Sequence, residues 1–165
     1  MKKKIFFDMD GTLSKFYKDP MFLENMYTPG YFIRLEPYES MVSAIATLLD
    51  SGHDVFILSA CTAPFEEAEK REWLARVIPD LNADHALFCK AGASKSLFVR
   101  SLGFDLTQCI LVDDYSKNLI EWVSNGGRAV KSRNEINCRN GKWQGQRVDA
   151  LTKNIYAIVD TIVNV

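Results

Sequence analysis

Short apolar runs alternate with helical patterns along most of this chain of 165 residues, and this alternation restricts the fold more than any other feature. Apolar runs that predict strands lie at residues 5–7, 54–59, 85–89 and 109–112, and an edge strand is predicted at 128–130. Helical spacing predicts helices between Pro37 and Gly52, from Pro64 to Val77, between Ser94 and Gly103, and from Ser116 to Ser124. Such an array is typical of an α/β fold with a parallel central sheet.

The C-terminal part of the chain carries two further patterns. The segment from Asn137 to Val148 predicts a hairpin, because Asn140-Gly141 is a strong signal for a tight turn. From Asp149 onward, apolar residues recur at helical spacing, at Leu151, Ile155, Ile158, Val159 and Ile162. We therefore expect a terminal amphipathic helix that packs against the sheet.

Length and composition predict a single domain over residues 1–165, because a chain of this size with 47% hydrophobic residues builds one core. A net charge of -1 provides no general attraction to nucleic acid, and we see no apolar run long enough to span a membrane. The four cysteines lie far apart, mostly in or beside apolar runs, which disfavours a zinc site. With no secretory signal after Met1, we expect reduced thiols and a cytoplasmic protein.

Residues 14–36 interrupt the regular pattern and are rich in aromatic side chains. The rings belong to Phe16, Tyr17, Phe22, Tyr27, Tyr31 and Phe32. We interpret the segment as a reduced cap or lid insertion, with two roles open for its rings. They either stack on a substrate or form a small satellite core over the edge of the sheet. A second subunit that completes this aromatic surface would make the protein an oligomer.

Polar side chains follow each predicted strand at the point where the strand ends. Asp8 and Asp10 follow the first strand, Ser59 ends the second, residues 90–95 follow the third, and Asp113-Asp114 follows the fourth. Because the carboxyl ends of parallel strands line one crevice, we expect these groups to lie together. Clustered carboxylates repel one another unless a cation neutralises them, and oxygen ligands suit Mg²⁺. A hydroxyl and a lysine beside such a cation would make a site for a phosphate dianion.

These motifs resemble those of the haloacid dehalogenase superfamily of phosphatases, which has an aspartate nucleophile. The similarity rests on Asp8-Met9-Asp10-Gly11-Thr12-Leu13, Ser59, a downstream lysine and Asp113-Asp114, and it extends over nearly the whole chain. Within the superfamily, the chain most resembles the pyrimidine 5′(3′)-deoxyribonucleotidases. Their landmarks look matched in order by Phe7 to Gly11, Leu35-Glu36-Pro37, Val55-Phe56-Ile57, Glu69-Lys70 with Trp73, and Ile110 to Asp114. The resemblance implies a three-layer Rossmann-like fold and a phosphoric monoester hydrolase.

The resemblance also implies a role for each acid. Asp8 would be the nucleophile that forms an aspartyl-phosphate, and Asp10 would be the general acid and base. Mg²⁺ would bind the Asp8 carboxylate, the backbone carbonyl of Asp10 and the Asp114 carboxylate, and Asp113 would support these ligands.

The phosphate ligands are expected to be a hydroxyl and one or two lysines. Ser59 would donate a hydrogen bond to a phosphoryl oxygen, and Lys95 would be the main phosphate lysine, with Lys90 as the competing choice. Lys70 matches the family's Glu-Lys-x-x-Trp pattern and would add a second positive charge. We expect Cys61 and Thr62 to fill their loop, and Arg128 and Lys131 to be surface charges.

The substrate is the least determined part of this interpretation. The resemblance implies a nucleoside monophosphate, but deoxyribonucleotidases have a longer helical cap than residues 14–36 provide. A short cap leaves the site open to other small phosphates or to phosphate groups on macromolecules. A non-catalytic switch, like a receiver domain, is disfavoured because a receiver has its phosphorylated Asp after the third strand, where this chain has Cys89-Lys90.

Overall fold

The computed structural model describes residues 2–137 and 142–165. Its strands are β1 (Lys4–Phe7), β2 (Asp54–Cys61), β3 (Ala86–Lys90), β4 (Cys109–Asp113), β5 (Arg128–Arg133) and β6 (Arg147–Asp149). Its α-helices are α1 (Phe22–Asn25), α2 (Glu39–Asp50), α3 (Pro64–Val77), α4 (Lys95–Ser101), α5 (Ser116–Ser124) and α6 (Ile155–Val163). Short 3₁₀ helices cover Phe16–Lys18, Phe32–Arg34, Ala83–His85 and Leu106–Gln108.

The strands form one parallel sheet in the order β3-β2-β1-β4-β5-β6. Phe7 at the end of β1 lies beside Ile57 of β2 on one side and Val112 of β4 on the other. The strand order reverses between β1 and β4, and ligands of open α/β sheets bind at such a switch point. The predicted α/β fold is confirmed, and the acids that follow β1 and β4 lie at this point.

Two apolar layers cover the sheet, one on each face. Successive side chains of β1 enter different layers: Ile5 and Phe7 belong to one core cluster, and Phe6 belongs to the other. The first face is covered by α2, α3 and α6, with Trp73 fully buried among them. The second is covered by α4 and α5, where Trp122 is fully buried. Helices on both faces leave the ends of the strands as the accessible crevice.

The rings of residues 14–36 pack mainly on one another, which agrees with the satellite-core interpretation. Phe16, Tyr31 and Phe32 are buried together, and Tyr17 and Phe22 pack against them. Helix α3 holds this segment by several hydrogen bonds to its backbone. The Glu69 carboxylate accepts from the amides of Gly30 and Phe32, Trp73 Nε1 donates to the Leu35 carbonyl, and Arg76 donates to the Ile33 carbonyl.

The C-terminal predictions were partly wrong. The predicted strand at 128–130 is present but is not the edge of the sheet, because β5 continues to Arg133 and β6 pairs with its residues 131–133. The predicted hairpin turn at 140–141 lies outside the described residues, and the described part of 137–148 contains strand residues only at Arg147 and Val148, in β6, which pairs in parallel with β5. Helix α6 begins at Ile155 instead of near Asp149, because Asp149 ends β6; Leu151 is therefore 55% exposed. Within the described ranges, no helix has the length and apolar character to cross a membrane.

Candidate active site

A tight loop after β1 presents the two acids of the first motif. The carbonyl of Met9 accepts hydrogen bonds from the amides of Leu13 and Ser14, at 2.8 and 2.9 Å, so the chain turns back on itself directly after Asp8. Gly11 has a φ of +86°, and a Cβ at this position would lie 2.7 Å from Oδ2 of Asp114. Glycine is therefore required here twice, for its backbone conformation and for the close approach of the loop to Asp114.

Lys95 joins the acids that follow β1 and β4. Its Nζ lies 2.5 Å from Oδ1 of Asp8 and 2.8 Å from Oδ2 of Asp113, and the side chain is buried. Ser94 caps the helix by accepting from the amide of Leu97, which places Lys95 in the first turn. A lysine ammonium has three donors, and residues 2–137 and 142–165 provide two acceptors for Lys95, which leaves one N–H for a ligand.

Carboxylate oxygens from Asp8, Asp113 and Asp114 all lie within 4.8 Å of one another. Those of Asp113 accept from the Tyr115 amide, the Asn118 side chain and Lys95, so this residue braces the cluster. Asp8 and Asp114 have oxygens with fewer protein partners. A set of hard oxygen donors with surplus negative charge fits Mg²⁺, which takes few protein carboxylates and keeps several waters.

Burial and mutual repulsion raise the pKa values of two acids in the cluster. Burial is the main cause that raises the pKa of Asp8 to about 7; Lys95 opposes it, and the charges of Asp113 and Asp10 add to it. The pKa of Asp114 is also raised well above its usual value, chiefly by burial and then by Asp113 and Asp8. Without a cation, the ionised form of both carboxylates is thus energetically disfavoured. This supports a cation site between β1 and β4.

Lys70 forms a second polar group beside the first. Its Nζ lies 2.5 Å from Oδ2 of Asp10, 3.0 Å from Oγ of Ser59 and 2.8 Å from the Ala60 carbonyl. It also lies 4.5 Å from the centre of the Phe32 ring, which covers it on the side of the 14–36 segment. The other Asp10 oxygen, Oδ1, is buried and accepts no hydrogen bond from the residues the structure describes.

The predicted site residues therefore lie in two groups, one around Lys95 and one around Lys70. Several residues that were predicted as alternatives or as having no role in the site lie outside these groups. Lys90, the alternative phosphate lysine, is exposed at the end of β3. Thr62 binds the Glu66 carboxylate, as expected for a residue that fills its loop. Arg128 is half-buried and donates to the backbone carbonyl of Val165.

Lys131 was predicted to be a surface charge, and this was wrong. It is buried, and its Nζ donates to the Asp114 carbonyl at 2.9 Å and to Ser116 Oγ at 2.7 Å. The reason is the parallel register of β4 and β5, which places Lys131 beside Asp113. The sequence analysis also did not identify Asn134, whose Nδ2 donates to the Gly11 carbonyl and to Oδ2 of Asp114. The available signal for Lys131 was its place just after the predicted strand 128–130, whereas Asn134 follows a strand only because β5 continues to Arg133.

Comparisons with known proteins add information about the fold. No protein-family model matches the chain, and no curated protein matches it. Among solved structures, D,D-heptose 1,7-bisphosphate phosphatase from B. bronchiseptica, complexed with magnesium and phosphate, has a TM-score of 0.70 and 15% identity, with 99% of each chain covered. The chain has the fold of haloacid dehalogenase-like hydrolases.

Two further structures support this assignment of the fold. A haloacid dehalogenase-like family hydrolase from Streptococcus pneumoniae has a TM-score of 0.66 and 10% identity, covering 96% of this chain and 97% of its own. D,D-heptose 1,7-bisphosphate phosphatase from Burkholderia thailandensis has a TM-score of 0.68 and 13% identity, covering 99% of this chain and 100% of its own. In the sheet of this chain, the carboxyl ends of β1, β2 and β4 lie side by side, and Asp8, Ser59 and Asp114 lie at these ends.

Proposed function

We propose that this protein is a magnesium-dependent phosphomonoester hydrolase that works through an aspartyl-phosphate on Asp8. The observation that carries the proposal is the position of Lys95, which contacts both Asp8 and Asp113 while Asp114 completes the acidic cluster. A nucleophilic carboxylate, a buried cation with one free donor and a site for a divalent ion are the parts that phosphoryl transfer requires.

Asp8 and Asp10 divide the chemistry between them. In the first step, an Asp8 carboxylate oxygen forms a bond to phosphorus as the ester P–O bond breaks, and the leaving alcohol oxygen takes the proton of Asp10. In the second step, Asp10 accepts a proton from water as the water oxygen attacks phosphorus. The bond between phosphorus and Asp8 then breaks, which releases inorganic phosphate and restores the Asp8 carboxylate. General acid and base catalysis of this kind contributes about 10²–10⁴-fold.

The cation site and the phosphate ligands are assigned from the same geometry. Asp8 and Asp114, with the backbone carbonyl of Asp10, would hold Mg²⁺, which would offset the repulsion between two anions. Lys95 and Ser59 would bind phosphoryl oxygens, Lys95 through the N–H that no described residue takes up. Lys70 lies between Ser59 and Asp10, so it would hold the acid beside the phosphate and contribute positive charge there.

The substrate class that we propose is a nucleoside monophosphate. The Glu69, Lys70 and Trp73 pattern that carries the resemblance to deoxyribonucleotidases acts as one unit, because Lys70 contacts Asp10 while its neighbours bind the backbone of residues 30–35. The buried rings of residues 14–36 contact one another, which reduces their value as a stacking surface. Other small phosphates, such as those of sugars, are therefore the alternative.

Steady-state hydrolysis tests the proposal. We expect the wild type to hydrolyse p-nitrophenyl phosphate with Mg²⁺, to lose activity with EDTA and to regain it when Mg²⁺ is restored. Asp8→Asn should abolish turnover, whereas Asp80→Asn, at an exposed position in the loop after α3, should leave it unchanged. Activity indifferent to EDTA, or retained by Asp8→Asn, would refute the proposal. A panel of deoxynucleoside monophosphates, sugar phosphates and phosphopeptides would then identify the substrate.

A further inference from the structure

Asn134 joins the two loops that carry the acids of the site, although it belongs to neither. It follows β5 and is 1% exposed. Its Nδ2 donates to the carbonyl of Gly11 at 2.9 Å and to Oδ2 of Asp114 at 3.2 Å. One side-chain amide thus bridges the loop after β1 and the loop after β4, on either side of the point where the strand order reverses.

The amide of Asn134 is itself held in place. Its Oδ1 accepts from the backbone amides of Ile136 and Asn137, each at 3.1 Å, and its own backbone amide donates to Oδ1 of Asn137 at 2.8 Å. Both donors and both acceptor positions of the side chain are therefore in use. These contacts also settle which end of the amide is nitrogen, because the two backbone amides must meet an oxygen.

The loop after β5 contacts Asp114 at its backbone as well as at its carboxylate. The carbonyl of Asp114 accepts from Asn137 Nδ2 at 3.1 Å and from Lys131 Nζ at 2.9 Å. Among the described residues of this loop, Asn134 donates to the Asp114 carboxylate. By binding Oδ2, it fixes the rotation of the carboxylate, and Oδ1 receives no hydrogen bond within residues 2–137 and 142–165.

We propose that Asn134 is a positioning residue that sets the affinity of the site for its divalent cation. It fixes the Asp114 carboxylate relative to the loop that carries Asp8 and Asp10, so the cation binds to ligands that are already in place. The inference rests on the proposed function, because it takes Asp114 as a ligand. Hydrogen-bonding partners of metal ligands typically change affinity or activity by about 10–100-fold when they are removed.

Calorimetric titration of the substrate-free protein with Mg²⁺ tests the inference. Asn134→Leu keeps the branched skeleton of the side chain but lacks its donors and its acceptor, and we expect its dissociation constant for Mg²⁺ to rise by about 10-fold or more. Its activity should recover in large part at saturating Mg²⁺. Asn137→Ala is the comparison variant: it removes the contacts of Asn137 with the Asp114 carbonyl and the Asn134 backbone amide but keeps the Asn134 side chain, so we expect a smaller rise.

The outcomes separate this inference from the function on which it rests. A wild type that binds no Mg²⁺ would refute the proposed function itself. A wild type that binds Mg²⁺, with a folded Asn134→Leu protein whose dissociation constant lies within about twofold of it, would overturn the role of Asn134 alone. If Asn134→Leu does not fold, NMR of the wild type decides. The side-chain amide protons of Asn134 should shift on Mg²⁺ addition, and unchanged resonances would overturn the inference.

Discussion

The ammonium of Lys70 lies 2.5 Å from Oδ2 of Asp10, although 60 residues separate the two along the chain. Its remaining donors point to Ser59 Oγ and the Ala60 carbonyl, so all three N–H groups have acceptors. Lys95 differs, because it contacts two carboxylates and its third donor meets no acceptor in the described part of the chain. The two lysines therefore serve different parts of the reaction, with Lys95 directed to the phosphate and Lys70 to the acid.

This difference predicts distinct kinetics for Lys70→Met. Without the ammonium, Asp10 loses its partner and its fixed position, so we expect kcat to fall by about 10²-fold, within the range that proton transfer contributes. The inhibition constant for inorganic phosphate should change less than in Lys95→Met. Steady-state kinetics with phosphate inhibition measures both. A kcat within about threefold of the wild type would contradict the role given to Lys70.

Lys95→Met should abolish turnover and also destabilise the metal-free protein. Removing one partner of a buried ion pair costs about 3–5 kcal/mol, because the other charge is left without compensation. The loss should be greater at pH 8 than at pH 5, where Asp8 and Asp114 can take up protons. Urea unfolding with EDTA at both pH values measures the free energy of unfolding. An equal loss at the two pH values would argue against Lys95 as the neutralising charge.

The raised pKa of Asp8 predicts how stability depends on pH without metal. In the folded protein, Asp8 keeps its proton up to about pH 7, whereas the usual pKa of an aspartate is 3.8. Between these two pH values, the folded protein therefore binds more protons than the unfolded chain. Stability should therefore fall as pH rises through this window. The raised pKa of Asp114 makes stability fall with rising pH in the same way.

Magnesium should reverse this loss, because the cation binds the ionised carboxylates of the folded state. We expect Mg²⁺ to raise the Tm by several degrees at pH 8 and by much less at pH 5. Thermal unfolding followed by dye fluorescence, with and without Mg²⁺, checks this difference. The same shift at both pH values would mean that the cation binds elsewhere, and Asp8→Asn provides the control in which the shift should shrink.

Glu69 should determine how firmly residues 14–36 are held. Its carboxylate accepts from two backbone amides of this segment, so Glu69→Ala leaves them without a partner, at a cost of about 1–3 kcal/mol. We expect faster proteolysis within residues 14–36 and a lower kcat, because the Phe32 ring would no longer cover Lys70. Glu72→Ala, at an exposed position on the same helix, is the matched control. Equal cleavage of the two variants would refute this role.

The sequence was sufficient for the sheet and for the acids at its switch point. Asp8 follows β1 and Asp113 ends β4, and a parallel sheet brings such strand ends together whatever the details of packing. Lys70 was harder to place, because a lysine on a helix is usually exposed and its burial depends on the Phe32 ring from a different segment.

The contributions of β5 could not be predicted for a similar reason. Lys131 and Asn134 reach Asp114 because β5 continues to Arg133 and is covered on its outer side by β6. The sequence instead contains a strong hairpin signal at Asn140-Gly141, a local pattern that predicts antiparallel pairing within residues 137–148. The position of β6 is determined by its pairing with β5, from which it is separated by more than ten residues along the chain. Short-range sequence patterns do not contain that information.

Detection of the phosphorylated residue tests the central claim most directly. Asp10→Asn, incubated with Mg²⁺ and p-nitrophenyl phosphate, should accumulate the aspartyl-phosphate, because this leaving group departs without a proton and the water step lacks its base. After an acid quench, borohydride reduction converts a phosphorylated aspartate to homoserine, which tandem mass spectrometry can locate. We predict homoserine at position 8. Homoserine at 113 or 114, or none in an active protein, would contradict the assignment of Asp8 as the nucleophile.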